Sequence, residues 1–195
     1  GNALEVKDAI DVLAGRTQGD LLEISLLLGS HMLVLAEKVK TLPEARAMLE
    51  NALSSGAGLR KLAEMIAAQG GDPRVVEDLS LLPQAAVKRV MRAETAGYLS
   101  AMDTTALGMA AQRMGAGRAK KSDMLDYSVG YVLHVRLGDE VTEDTLLATL
   151  YARNEAEAEE AEKAIRKALT IAKEKPQTPK LWDAVVTAEG ITYNR

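Results

Sequence analysis

Leu82-Pro83-Gln84-Ala85-Ala86-Val87-Lys88-Arg89-Val90-Met91-Arg92-Ala93-Glu94-Thr95 decides the fold. Up to Leu82 the apolar residues recur at helical spacing. Beyond Pro83 they alternate, over Val87–Thr95 and again over Gly97–Met102, as half-buried strands do. The spacing therefore predicts an α+β chain: a helical segment over residues 1–82, and a carboxy-terminal α+β domain over 83–195.

Upstream of that switch the punctuation is helical. Asn2 with Glu5 three residues on has the capping-box pattern, and Gly15 is a stop. Asp20 can cap a helix from Leu21 to about Lys40. Its apolar residues surround it almost completely, which predicts a buried helix. Thr41-Leu42-Pro43-Glu44 is a second capping box, opening a helix to about Leu53. A further helix carries Leu59, Leu62, Met65 and Ile66 and ends at Gly70-Gly71. Asp72-Pro73 starts a short last one.

Downstream, Thr104–Met114 returns to the helical period. Met114-Gly115-Ala116-Gly117-Arg118 is a turn-rich loop. Tyr127–Val135 reads as a strand with Val129, Tyr131, Leu133 and Val135 on one face, and Thr145–Ala152 as another. Asn154 caps a helix predicted to reach about Lys173, with acids at its start and Lys173 and Lys175 at its end, as the helix dipole favours. Glu159–Lys163 and Glu162–Arg166 are i,i+4 pairs. Leu181–Val186 is a final strand.

Composition removes several function classes. The 195 residues contain no cysteine, so disulfides, thiolate metal sites and cysteine nucleophiles are excluded. The net charge of -4 argues against a general nucleic-acid binder, and aromatics at 3% leave little for bases to stack on. The most apolar stretch is uncharged only between Glu23 and Glu37, too short for a membrane span. A soluble protein is expected, with no membrane or nucleic-acid partner, and the lack of cysteine is compatible with a reducing cytoplasm without establishing one. The opening Asn2-Ala3-Leu4-Glu5 already reads as a first helical turn without an initiator methionine, so a longer parent chain is expected.

The candidate chemistry is sparse. His31 and His134, the two histidines, have no metal-ligand spacing and read as structural. Gly115–Arg118 with Lys120 and Lys121 could cradle a phosphate, but it lacks both the ending of a P-loop and its strand–turn–helix setting, so a solvated basic turn is the better reading. The acids from Glu155 to Glu162 are spread around a helix and read as a solvated face. The residues alone yield no catalytic or substrate-binding constellation.

An ordered set of motifs carries further. Gly1-Asn2-Ala3-Leu4-Glu5-Val6-Lys7-Asp8-Ala9-Ile10, Leu28-Gly29-Ser30-His31-Met32, Ala67-Ala68-Gln69-Gly70-Gly71-Asp72, Met102-Asp103 with Ala106-Leu107-Gly108-Met109-Ala110, Met114–Arg118, Asp126-Tyr127-Ser128-Val129-Gly130 and Leu137-Gly138-Asp139-Glu140-Val141 stand in this order. Together they resemble the carboxy-terminal portion of the pyrimidine-nucleoside and thymidine phosphorylases. The resemblance fades after about Tyr151.

It implies that residues 1–82 are helices of a large α/β domain without most of its sheet, and that 83–195 form a domain like the barrel-sandwich hybrids of lipoyl and biotinyl carriers. Asp144 stands where relatives often have Gly, which implies a looser turn. The implied activity is reversible phosphorolysis of pyrimidine nucleosides, in the cytoplasm and as a homodimer, with inorganic phosphate as co-substrate and no cofactor for the chemistry. The implied partners are nucleoside, phosphate and an upstream catalytic segment that holds the phosphate loop and the base-binding residues. No catalytic residue is expected in this chain. The resemblance also places one ligand of a structural monovalent or calcium cation at Asp8, where relatives carry Glu. The alternative function is a non-catalytic, carrier-like interaction module.

Overall fold

The computed structural model describes residues 1–194, which divide into two compact units. One comprises Gly1–Val6 with Leu82–Thr178, the other Lys7–Leu81 with the described residues from Pro179 onward.

The first unit is α+β. β1 (Val87–Arg92), β5 (Leu146–Ala152) and β3 (Gly130–Leu133) form an antiparallel sheet in the order β1-β5-β3. β4 (Glu140–Val141), β2 (Gly97–Met102) and β6 (Leu169–Ala172) form a second, in the order β4-β2-β6. The sheets share no strand, and no closed barrel forms among the described residues. β5 is central in its sheet, and Leu147, Ala148, Thr149 and Leu150 are all buried. That is why the strand reads as an apolar run interrupted only by Thr149, rather than as an alternation.

α5 (Thr104–Ala111) and α6 (Glu155–Ala168) pack on each other, and α6 also packs on β1 and β5. α6 buries Ala158, Ala161, Ile165 and Ala168 at helical spacing, a narrow stripe in which three alanines flank one large side chain. Met91, Leu99, Val129, Val141, Leu147, Leu150 and Ile165 are the large, fully buried side chains of this core. At its start, Asn154 caps α6 through its side-chain oxygen, which accepts from the Glu157 N–H at 2.9 Å. The helix ends at Ala168 rather than near Lys173. Leu169–Ala172 leaves it directly as β6 and pairs with Tyr98–Met102 of β2.

The second unit is mainly helical. It holds the rest of α1 (Asn2–Leu13), then α2 (Asp20–Leu35), α3 (Leu42–Ser54), α4 (Ala57–Ala68) and short 3-10 turns at Pro73–Val76 and Leu79–Leu81. Val12, Leu22 and Leu26 are buried against Leu49 and Leu53. The Thr41 capping box forms as expected: Thr41 Oγ1 accepts from the Glu44 N–H, and the Glu44 carboxylate accepts from the Thr41 N–H. The Asn2–Glu5 box does not form. Gly1 takes the capping place, its carbonyl accepting from the Glu5 N–H at 3.0 Å. The Asn2 side chain instead donates to the Ala116 carbonyl at 3.2 Å.

α2 is shorter and more exposed than its composition predicts. It stops at Leu35 and buries only Leu22, Leu26 and Ser30. Leu21 is exposed, as are Leu28, Met32 and Leu35, at 57%, 68% and 82%. These lie along one side of the helix, so an all-round apolar helix has only one side covered. Near the carboxy terminus β7 (Ala184–Thr187) and β8 (Gly190–Tyr193) form a hairpin. The sequence predicted only the first of these strands. No described helix is long and apolar enough to cross a membrane.

Candidate functional site

The glycine-rich loop, the best phosphate-binding candidate in the sequence, follows α5 through a wide turn at Gln112–Ala116. A phosphate cradle needs backbone N–H groups that converge on empty space. Here the Ala119 and Lys120 N–H groups both donate to one Asp123 carboxylate oxygen, at 3.1 and 3.0 Å. Asp123 N–H in turn donates to the Lys120 carbonyl. An internal carboxylate thus fills the place an anion would take. Arg118, Lys120 and Lys121 are exposed around it.

The flanks of the loop are equally committed. The Gly115 carbonyl accepts from the Asp126 N–H at 3.0 Å. The Asp126 carboxylate accepts from both the N–H and the hydroxyl of Ser128. Arg153 lies beside Gly115 and donates to Glu157 at 2.8 Å. The Glu157 hydrogen bond holds the Arg153 pKa above its ordinary value. The loop is a structural joint between α5 and β3.

That joint also fixes the first turn of α1. Ala3 N–H donates to the Tyr127 carbonyl at 3.0 Å. A Cβ on Gly1 would lie 2.0 Å from the Val129 carbonyl oxygen. Residues 1–6 therefore pack on the strand entry through backbone contact, and the Gly-Asn-Ala motif acts as a seat for Tyr127–Gly130.

Several acids of the α6 run are held in ion pairs. Glu159 accepts from Lys163 at 2.6 Å. Glu162 accepts from Arg89 of β1 at 2.6 Å and from Arg166 at 2.9 Å. Arg166 also reaches the Arg92 carbonyl at 3.0 Å. The Glu162–Arg166 pair was legible from its spacing, whereas Arg89, distant in sequence, carried no local signal. Partial burial pushes the Glu162 carboxyl up, but the hydrogen bonds from Arg166 and Arg89 outweigh it and leave the pKa below its ordinary value.

The histidines are separate. His31 lies on α2, its Nε2 buried without a hydrogen-bond partner. His134 follows β3, its Nε2 2.8 Å from the Thr149 hydroxyl, a structural contact on a buried strand. Asp8 is exposed on α1. The neighbouring Asp11 is buried and accepts from Lys7 and from Arg16, the latter at 2.8 Å. Burial raises the Asp11 pKa, and these cations more than reverse it, for a net lowering. No group of three or more acidic or histidine side chains that could hold a metal ion occurs among the described residues. Asp8 on its own supplies too few oxygens for a hard cation.

A groove of about 360 Å3 in the helical unit is lined by Val12, Leu13, Leu22, Leu26, Leu49 and Leu53, among others. Ser25 is its one polar side chain. It can take apolar surface but offers nothing to move a proton or stabilise a charge.

Comparison with known proteins accounts for a chain so thin in chemistry. Residues 98–172 match the family described as the pyrimidine nucleoside phosphorylase C-terminal domain. The pyrimidine-nucleoside phosphorylase of Geobacillus stearothermophilus is 48% identical over 155 residues, 80% of this chain and 36% of the relative. The Bacillus subtilis enzyme of the same name matches to the same extent. That of Staphylococcus aureus is 42% identical over 172 residues, 88% of this chain and 40% of the relative. The chain thus spans well under half the length of these relatives.

Proposed function

The chain belongs to the pyrimidine-nucleoside phosphorylase family, and on that premise we propose that it supplies the carboxy-terminal portion of such an enzyme while the catalytic residues lie in the rest. The whole enzyme would catalyse reversible phosphorolysis of thymidine- or uridine-type nucleosides, a pentosyl transfer in nucleoside salvage. A phosphate oxygen forms a bond to the anomeric carbon, the glycosidic C–N bond breaks, its electron pair leaves with the base, and the proton of hydrogen phosphate ends on the base, giving free base and pentose 1-phosphate. Inorganic phosphate is the co-substrate, and the chemistry needs no cofactor. The enzyme would work in the cytoplasm, as a homodimer.

The observation that carries this reading is 48% identity over 80% of the chain to an enzyme of that name. The site geometry supports the division of labour. Phosphorolysis requires converging donors and positive charge in a preorganised cleft. The Ala119 and Lys120 amides, which follow the glycine-rich loop, are already bound to Asp123. The exposed side of α2 (Leu21, Leu28, Met32 and Leu35) suits a helix that packs on a sheet in the remainder of the enzyme. Asp8 is proposed as one ligand of a structural monovalent or calcium cation completed by backbone oxygens from that remainder.

The purified 195-residue chain, assayed for free base from thymidine and uridine with saturating phosphate, is expected to give none. Robust turnover would place an active site within it. The second reading, a non-catalytic interaction module, draws on the packing of Leu82–Thr178 together with Gly1–Val6 as a small α+β unit. The turn before β5 carries Glu143 and Asp144 and no lysine for a carrier group, so that reading is confined to protein binding.

A further inference from the structure

We draw no further inference here: the strongest candidate, the unpartnered apolar side of α2 formed by Leu21, Leu28, Met32 and Leu35, is the face the proposed function already assigns to the remainder of the phosphorylase, and nothing in the structure shows anything else that covers it.

Discussion

Gly1 and Gly130 touch through their backbones: a Cβ on Gly130 would stand 2.8 Å from the Gly1 nitrogen and 2.9 Å from its Cα. Gly130 also has φ 149, where side chains are strained. Two motifs that are far apart in sequence, Gly1–Ile10 and Asp126–Gly130, are thus two sides of one contact.

Gly130→Ala therefore combines backbone strain with a clash, and is expected to destabilise the chain by about 2–4 kcal/mol. Gly15 is the control. It has φ 71, and a methyl group there would have nothing within 4 Å, so Gly15→Ala meets only the left-handed backbone cost, about 1 kcal/mol. Thermal melts of both variants check the difference. Equal losses would show that the Gly1–Gly130 contact contributes nothing.

Glu162 predicts a pH dependence. Its folded-state pKa lies below its ordinary value, so its contribution to stability is present above about pH 4.5 and is lost as pH falls through the lower, folded value. Glu162→Gln should cost about 1–2 kcal/mol at pH 7, because Arg89 and Arg166 lose a charged acceptor. Urea melts should show the gap between wild type and variant closing towards pH 3. A gap that stays constant or widens in acid would refute the ion-pair account.

The turn entering β5 holds Asp144 at φ 73. The Asp144 N–H donates to the Ala93 carbonyl at 3.1 Å, and the Thr145 N–H to the Thr142 carbonyl at 3.0 Å. The expected loosening at this position does not occur: the turn stays tight and aspartate adopts the left-handed conformation itself. Asp144→Gly is expected to be stabilising by about 0.5 kcal/mol, and Asp144→Val destabilising by at least about 1 kcal/mol. Chemical denaturation of the two variants should rank them on opposite sides of wild type, and the same sign for both would overturn the backbone argument.

What the sequence revealed and what it hid have a common physical cause, the range of the interactions involved. The Thr41 box and the Asn154 cap were legible because both partners sit within three residues of each other. β2 was legible from alternation, and its bounds, Gly97–Met102, are those predicted. The end of α6 was hidden, because only the distant pairing with β2 turns Leu169–Ala172 into a strand. α2 was misread as buried because composition reports how apolar a helix is, not how much of it is covered. Asn2 was misread as a cap because its amide finds the Ala116 carbonyl across the fold. At the candidate site, Asp123 lies four residues past Ala119, close enough for the sequence to have signalled that the Ala119 and Lys120 amides were taken. The family was legible because many short motifs stand in one order, although no single motif carries chemistry.

Asp8 is tested in a chimera that joins the amino-terminal portion of the Bacillus subtilis relative to this chain. If Asp8 is a cation ligand there, potassium or calcium should raise the melting temperature of the chimera, and Asp8→Asn should reduce that rise by more than half. An identical rise in both proteins would remove Asp8 from the site.

The same chimera tests the central claim most directly, through its rate of phosphate-dependent base release from thymidine and uridine. The chain, in place of the relative's own carboxy-terminal portion, is predicted to sustain turnover within about tenfold of the parent enzyme, a barrier difference of about 1.4 kcal/mol. A chimera that folds, with a cooperative melt, yet releases no base from either nucleoside would contradict the assignment of this chain to a working phosphorylase.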